Sequence, residues 1–134
     1  MNQCDDNTCS SCISGIVKKI LMLQRQNFGC DNYVGCDKPF LGPSINSIRY
    51  NTRPIQLYVS GNGSLWTFNY TTSEGISGTS DILRIESLDE CCVTCRILGI
   101  GDNNTYTNTN QFVTIDLNSC GAIRCLNDVS IDLN

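Results

Sequence analysis

The chain of 134 residues contains no histidine. That absence removes the commonest general base and the commonest nitrogen ligand, and with them any Ser–His or Cys–His nucleophilic pair. Charge is sparse as well: Asp, Glu, Lys and Arg make up only 16% of the residues. The net charge is -4, and no basic cluster exceeds Lys18-Lys19, so the chain has nothing with which to neutralise a row of phosphates. Long apolar runs are missing too. The longest, Ile13 to Leu23, is broken by Ser14, Gly15, Lys18 and Lys19, which excludes a spanning helix there. The start, Met1-Asn2-Gln3-Cys4-Asp5-Asp6, has neither the basic residues nor the apolar core of a secretion signal. Nucleic acid and membrane are therefore not expected partners, and an enzyme is not expected.

What the chain has is sulfur. Ten cysteines fall into two clusters, Cys4, Cys9, Cys12, Cys30 and Cys36, then Cys91, Cys92, Cys95, Cys120 and Cys125. Five is odd, so neither cluster can pair fully within itself. Complete oxidation demands a bond between the clusters or bonds to other molecules. Such a cysteine count normally marks a disulfide-stapled extracellular protein, which conflicts with the polar start. Two resolutions are open: thiolates that bind metal, or a chain made reduced and oxidised later.

Secondary structure is readable from periodicity. Ile13, Ile16, Val17, Ile20 and Leu21 form a helical stripe ending near Gln26, with Ser10 or Ser11 as its cap. From Arg53 the period becomes two. Ile55, Leu57 and Val59 alternate with polar residues, a turn at Gly61-Asn62-Gly63 follows, and Trp66, Phe68 and Tyr70 return. Residues 71–80 and 101–110, rich in Gly, Ser, Thr, Asn and Asp, read as loops. Leu83 and Ile85, then residues 91–100, then Val113, Ile115 and Leu117, and finally Val129 to Leu133, read as further strands. The expected fold is mainly β: an antiparallel β-sandwich or barrel-like domain with an N-terminal cysteine-bearing arm and one short amphipathic helix. The expected division is an arm, helix and loop over 1–36 and the β domain over 37–134.

Strand parity sorts the sulfurs. Cys91, Val93, Cys95 and Ile97 share one face, Cys92, Thr94 and Arg96 the other. Cys92 should therefore meet solvent, and Cys4, Cys9 and Cys12 sit on an arm that can reach a neighbour. These four are the candidate intermolecular disulfides. Cys30, Cys36, Cys91, Cys95, Cys120 and Cys125 are the candidates for internal bonds or core packing. Cys9-x-x-Cys12 with Cys92-x-x-Cys95 offers a four-thiolate zinc site as the alternative, serving an adaptor module. The second pair lacks a turn residue, so ordinary disulfides are the simpler reading. No metal and no cofactor is expected.

Several stretches together carry a resemblance. They are Cys9-Ser10-Ser11-Cys12 leading into the helix, Asn51-Thr52-Arg53-Pro54-Ile55, Ile82-Leu83-Arg84-Ile85-Glu86-Ser87, and Cys91-Cys92. The most specific are Val113-Thr114-Ile115-Asp116-Leu117 and Ala122-Ile123-Arg124-Cys125-Leu126. In these the chain resembles the cysteine-rich CotY/CotZ/ExsY family of bacterial spore coat and exosporium proteins. The resemblance implies a structural, self-assembling shell protein forming a disulfide-linked sheet or filament. It implies copies of itself and other cysteine-rich coat proteins as partners, or a role anchoring a larger appendage. It also implies synthesis in the mother cell without a signal peptide and oxidation later at the spore surface, which resolves the conflict over compartment.

Overall fold

The computed structural model describes Cys9 and residues 11–25 and 50–133. Helix α1 runs Cys12–Arg25. Ser11 caps it: its Oγ accepts from the Ile13 N–H at 3.1 Å, satisfying one of the donors a helix start leaves free. Ser10 and Gln26, the other expected boundary residues, lie outside the described residues. Ile13, Val17, Ile20, Leu21 and Gln24 recur at helical spacing and are buried. Ile16, expected on that stripe, is exposed, as are Met22 and Leu23.

Among the described residues seven strands follow: β1 Ile55–Val59, β2 Phe68–Thr71, β3 Ser77–Ser80, β4 Ile82–Asp89, β5 Cys92–Ile100, β6 Tyr106–Asp116 and β7 Cys120–Cys125. Five form one antiparallel sheet in the order β6-β5-β4-β1-β7, and β2 and β3 form a second, two-stranded sheet. The protein is thus mainly β, antiparallel and sandwich-like. The small sheet lies against β5 and β6. Tyr70 lies at this junction, because Gly78 and Gly99 leave its ring room: a Cβ on either would stand 2.6 and 3.0 Å from its hydroxyl.

The large sheet is strongly curled. Since every pairing is antiparallel, β6 and β7, its two edges, run in the same direction. Only the single 3-10 turn Leu117–Ser119 joins them. That link spans at most about 14 Å, whereas a flat sheet would hold its edges about 19 Å apart. The chain passes from pairing with β5 to pairing with β1 almost without interruption. No β6–β7 ladder is present among the described residues, so the curl does not close into a barrel.

Inside the curl, the helix residues Ile13, Val17, Ile20 and Leu21 pack with Ile55, Leu57, Leu83, Ile85, Val93, Ile97, Ile115 and Leu117. The opposite face of β4 and β5 carries a second cluster, Ile82 and Leu98 beneath Ile131 of the tail. That is why β4 is buried on both faces at its start. Gln24 locks the helix in place. Its Nε2 donates to the Ile85 carbonyl at 2.8 Å and its Oε1 accepts from the Arg53 N–H at 3.0 Å.

Several local expectations give way. Residues 77–80, read as loop, are β3, paired with β2. The other polar loop shortens to Asp102–Asn104, and β6 begins at Tyr106. Thr109 explains how a polar segment holds a strand: its buried hydroxyl donates to the Ile97 carbonyl at 2.7 Å. The tail forms no strand, only the isolated bridge Thr52↔Val129. Bidentate contacts of Arg53 with Asp128, at 2.7 and 2.9 Å, pin it there. The expected boundary at residues 36 and 37 lies outside the described residues.

Candidate functional site

The features to be placed are the sulfur atoms, and the fold gives them three distinct environments. Cys9 and Cys91 form a disulfide with their Cα atoms 5.1 Å apart, at a sequence separation of 82. Cys91 occupies the turn between β4 and β5, where Glu90 adopts a positive φ of 58°. Its carbonyl accepts from the Leu117 N–H at 2.8 Å, so the turn is tied to the β6–β7 link. Docking of α1 on the sheet brings the residue preceding the helix over that turn. Cys9, expected to bridge to another chain, is therefore bonded within its own, and the bond joins the two clusters.

Cys95 and Cys120 are free and buried, both within the main core cluster. Burial pushes the Cys95 thiol up to about 12, with the nearby Cys120 and Glu86 adding to it. Burial likewise pushes Cys120 up to about 11, helped by Asp116. Thiolate is the reactive form, so these two sulfurs are inert in the folded chain and pack as small apolar groups.

Cys12, Cys92 and Cys125 are free and exposed. Cys12 opens α1. Cys92 opens β5, on the face opposite to the one that carries Cys95. Cys125 ends β7, cross-strand from Ile55. It was expected inside; its position at the sheet's edge, where no strand covers the outer side among the described residues, exposes it instead. Cys4, Cys30 and Cys36 lie outside the described residues. The zinc arrangement suggested by spacing does not assemble here. Cys9 is oxidised, and Cys92 and Cys95 point to opposite faces of one strand, so the two pairs cannot converge on one ion.

Charge around these groups is organised. Arg84 and Arg96 stand directly opposite each other on β4 and β5, a pairing that repels by itself. Glu86 resolves it: its Oε2 accepts from Arg84 Nη1 at 2.6 Å and from Arg96 Nε at 2.8 Å. A register shift between Ile85 and Ser87 accompanies this placement. Burial alone would push the Glu86 carboxyl up, but hydrogen bonds from Arg96 and Arg84, with their charges, hold it below its ordinary value. Arg84 also donates to Thr52 and to the Asn51 carbonyl, and Arg96 lies 4.7 Å over the Phe112 ring. Sequence reading did not find this network. Its only trace in the sequence is the alternation of Arg84 and Glu86 with Leu83 and Ile85.

The sequence model of the family described as spore coat protein Z matches residues 1–109. The stretch that carries the most specific part of the resemblance, from Val113 to Leu126, lies beyond that span. No curated protein and no solved structure shows significant similarity to the chain.

Proposed function

The chain belongs to the spore coat protein Z family, and on that premise we propose that it assembles with copies of itself and locks the contacts through intermolecular disulfides. The family gives it a structural role in the spore coat, at the spore surface. The finer reading is a covalent building block of a sheet or filament.

One observation carries it. Among the described residues the sulfurs are partitioned: one bond ties arm to sheet, two sulfurs are sealed in the core, and three stand free on three separate elements. A fold that needed sulfur only for its own stability would have no use for exposed thiols at the start of a helix, the start of one strand and the end of another. Three attachment points on one small unit suit a branched, cross-linked layer. Such a layer resists heat and denaturant because its connections are covalent. Low surface charge fits the same role, since much of each unit would be covered by its neighbours.

Cys12, Cys92 and Cys125 are the proposed bridges, with Cys4 of the arm alongside them. The test is a variant with Cys4, Cys12, Cys92 and Cys125 all replaced by Ser, compared with the wild type after oxidation on non-reducing gels. The expected result is a reducible ladder of oligomers for the wild type and monomer for the variant. A ladder unchanged in the variant, or a wild type that stays monomeric after oxidation, would overturn the proposal.

A further inference from the structure

Strand β6 is an open edge of the large sheet: among the described residues no strand pairs with its far side. Its hydrogen bonds have a fixed phase. The Leu117 N–H donates to the Cys91 carbonyl, and bonded pairs alternate along an antiparallel ladder. Ile115 with Val93 and Val113 with Cys95 are therefore the bonded pairs. Phe112, Thr114 and Asp116, which stand opposite Arg96, Thr94 and Cys92, turn their N–H and C=O groups away from β5. Such a row is a template for another strand. The devices that usually blunt an edge are missing from it. Residues 111–116 hold no Lys, Arg or Pro, and the register shift with Asn110 at a φ of 60° falls just before them.

Resting on the reading that copies of the chain assemble with one another, we propose that two copies meet along this edge, β6 against β6, antiparallel about a two-fold axis. The occupant is a second copy because the segment is complementary to itself in one register. When Thr114 faces Thr114, Phe112 faces Asp116 and Asp116 faces Phe112. Every residue with outward backbone groups is then paired. On the core side of the sheet, Val113 meets Ile115.

Charge on the outer face selects the same register. Arg84 and Arg96 share the single carboxylate of Glu86, an excess of one positive charge, and Arg96 lies 4.7 Å over the Phe112 ring. Asp116 of the second copy arrives directly opposite that ring, with Cβ atoms roughly 5 Å apart, and its carboxylate faces the guanidinium. Asp116 of the same chain cannot do this, because four residues of strand, about 13 Å, separate it from Phe112. Exposed Phe112 is covered in the same step. Shifting the register so that Phe112 faces Thr114 would set Asp116 against Asn110 at the bulge and forfeit the ion pair. The contact uses one surface twice, so it closes at two copies. Extension of the layer is left to the exposed thiols.

The test uses the full chain with Cys4, Cys12, Cys30, Cys36, Cys92 and Cys125 replaced by Ser, which removes cross-linking and keeps the Cys9–Cys91 bond. Sedimentation equilibrium at up to about 1 mM protein should show a reversible dimer. Thr114→Pro deletes an N–H that points out of the sheet, a position where an edge strand accepts proline. Its circular dichroism should match that of the parent while its dimer dissociation constant rises about tenfold or more. Asp116→Asn keeps an acceptor for the Asn118 N–H and should weaken the dimer several-fold, the difference vanishing at high salt. Thr114→Cys treated with oxidised glutathione should give a reducible dimer linked through the introduced thiols. Monomer at every concentration, or a dimer that neither Thr114→Pro nor Asp116→Asn weakens, would overturn the edge contact and leave the disulfide reading standing. A wild type that stays monomeric on denaturing gels after oxidation would instead remove the disulfide reading while the edge contact stands.

Discussion

Glu86 is the residue on which the polar side of β4 and β5 depends. It accepts from two guanidinium groups that register forces together, and Arg84 is buried. Removing one partner of such a set leaves an uncompensated charge, worth several kcal/mol when fully buried. Glu86 keeps some exposure, so Glu86→Gln should cost about 2 kcal/mol, measured by urea denaturation near neutral pH. Its carboxyl titrates below its ordinary value in the folded chain, so its contribution is complete above the unfolded value of 4.5 and fades as pH falls below it. Wild type should therefore lose more stability than Glu86→Gln between neutral pH and pH 3; equal losses would remove Glu86 from the account. The core thiols work in the other direction. With folded values raised to about 12 and about 11 from 9.0, Cys95 and Cys120 stabilise the fold below pH 9 and lose that contribution as pH rises past it. Iodoacetamide at pH 8 should label Cys12, Cys92 and Cys125 in the native protein and reach Cys95 and Cys120 only in denaturant. Mass spectrometry of the labelled peptides decides the matter; native labelling of Cys95 would contradict its placement.

Among the elements, α1 is attached twice, by Gln24 at its end and by the Cys9–Cys91 bond at its start. Closing a loop of this length restricts the unfolded chain by roughly 4–5 kcal/mol in the chain-entropy picture. Cys9→Ser should thus lower the melting temperature by many degrees, and reduction of the wild type should do the same. If Cys9→Ser melts with wild type, the bond contributes nothing to the fold. This pairing was legible only in part. The odd counts in the two clusters required a bond between them under full oxidation, but spacing does not say which sulfurs meet, because that depends on where α1 docks. Elements with one buried and one wet face were readable: Ile55 and Leu57 of β1 alternate with Gln56 and Tyr58, and Ile13, Val17 and Leu21 recur on α1. The first half of β6 was not, because Asn108, Thr109 and Asn110 hold it through side-chain bonds and leave no apolar alternation to read. The Val129–Leu133 alternation misled for the opposite reason: Ile131 packs over Ile82 and Leu98 without a ladder, held by Asn51 and Asp128.

At the scale of the whole molecule, the curled sheet turns a short chain into a unit with thiols on separate elements, and the internal bond ties the start of the helix that carries Cys12 to the turn beside Cys92. On the proposed assembly, folding and cross-linking draw on different sulfurs, which allows a chain to fold first and join its neighbours afterwards. Sequence carried the family and the structural role through its cysteine runs. It could not place Cys125 at an open edge, because exposure there follows from which strands flank β7 and not from its own residues. The central claim is that copies of this protein are joined by disulfides into an extended assembly. Its most direct test is negative-stain microscopy of oxidised protein in denaturant, before and after treatment with a strong reductant and heat. The account predicts ordered sheets or fibres that survive the denaturant and disperse only on reduction. Isolated particles of monomer size in the oxidised sample would contradict it.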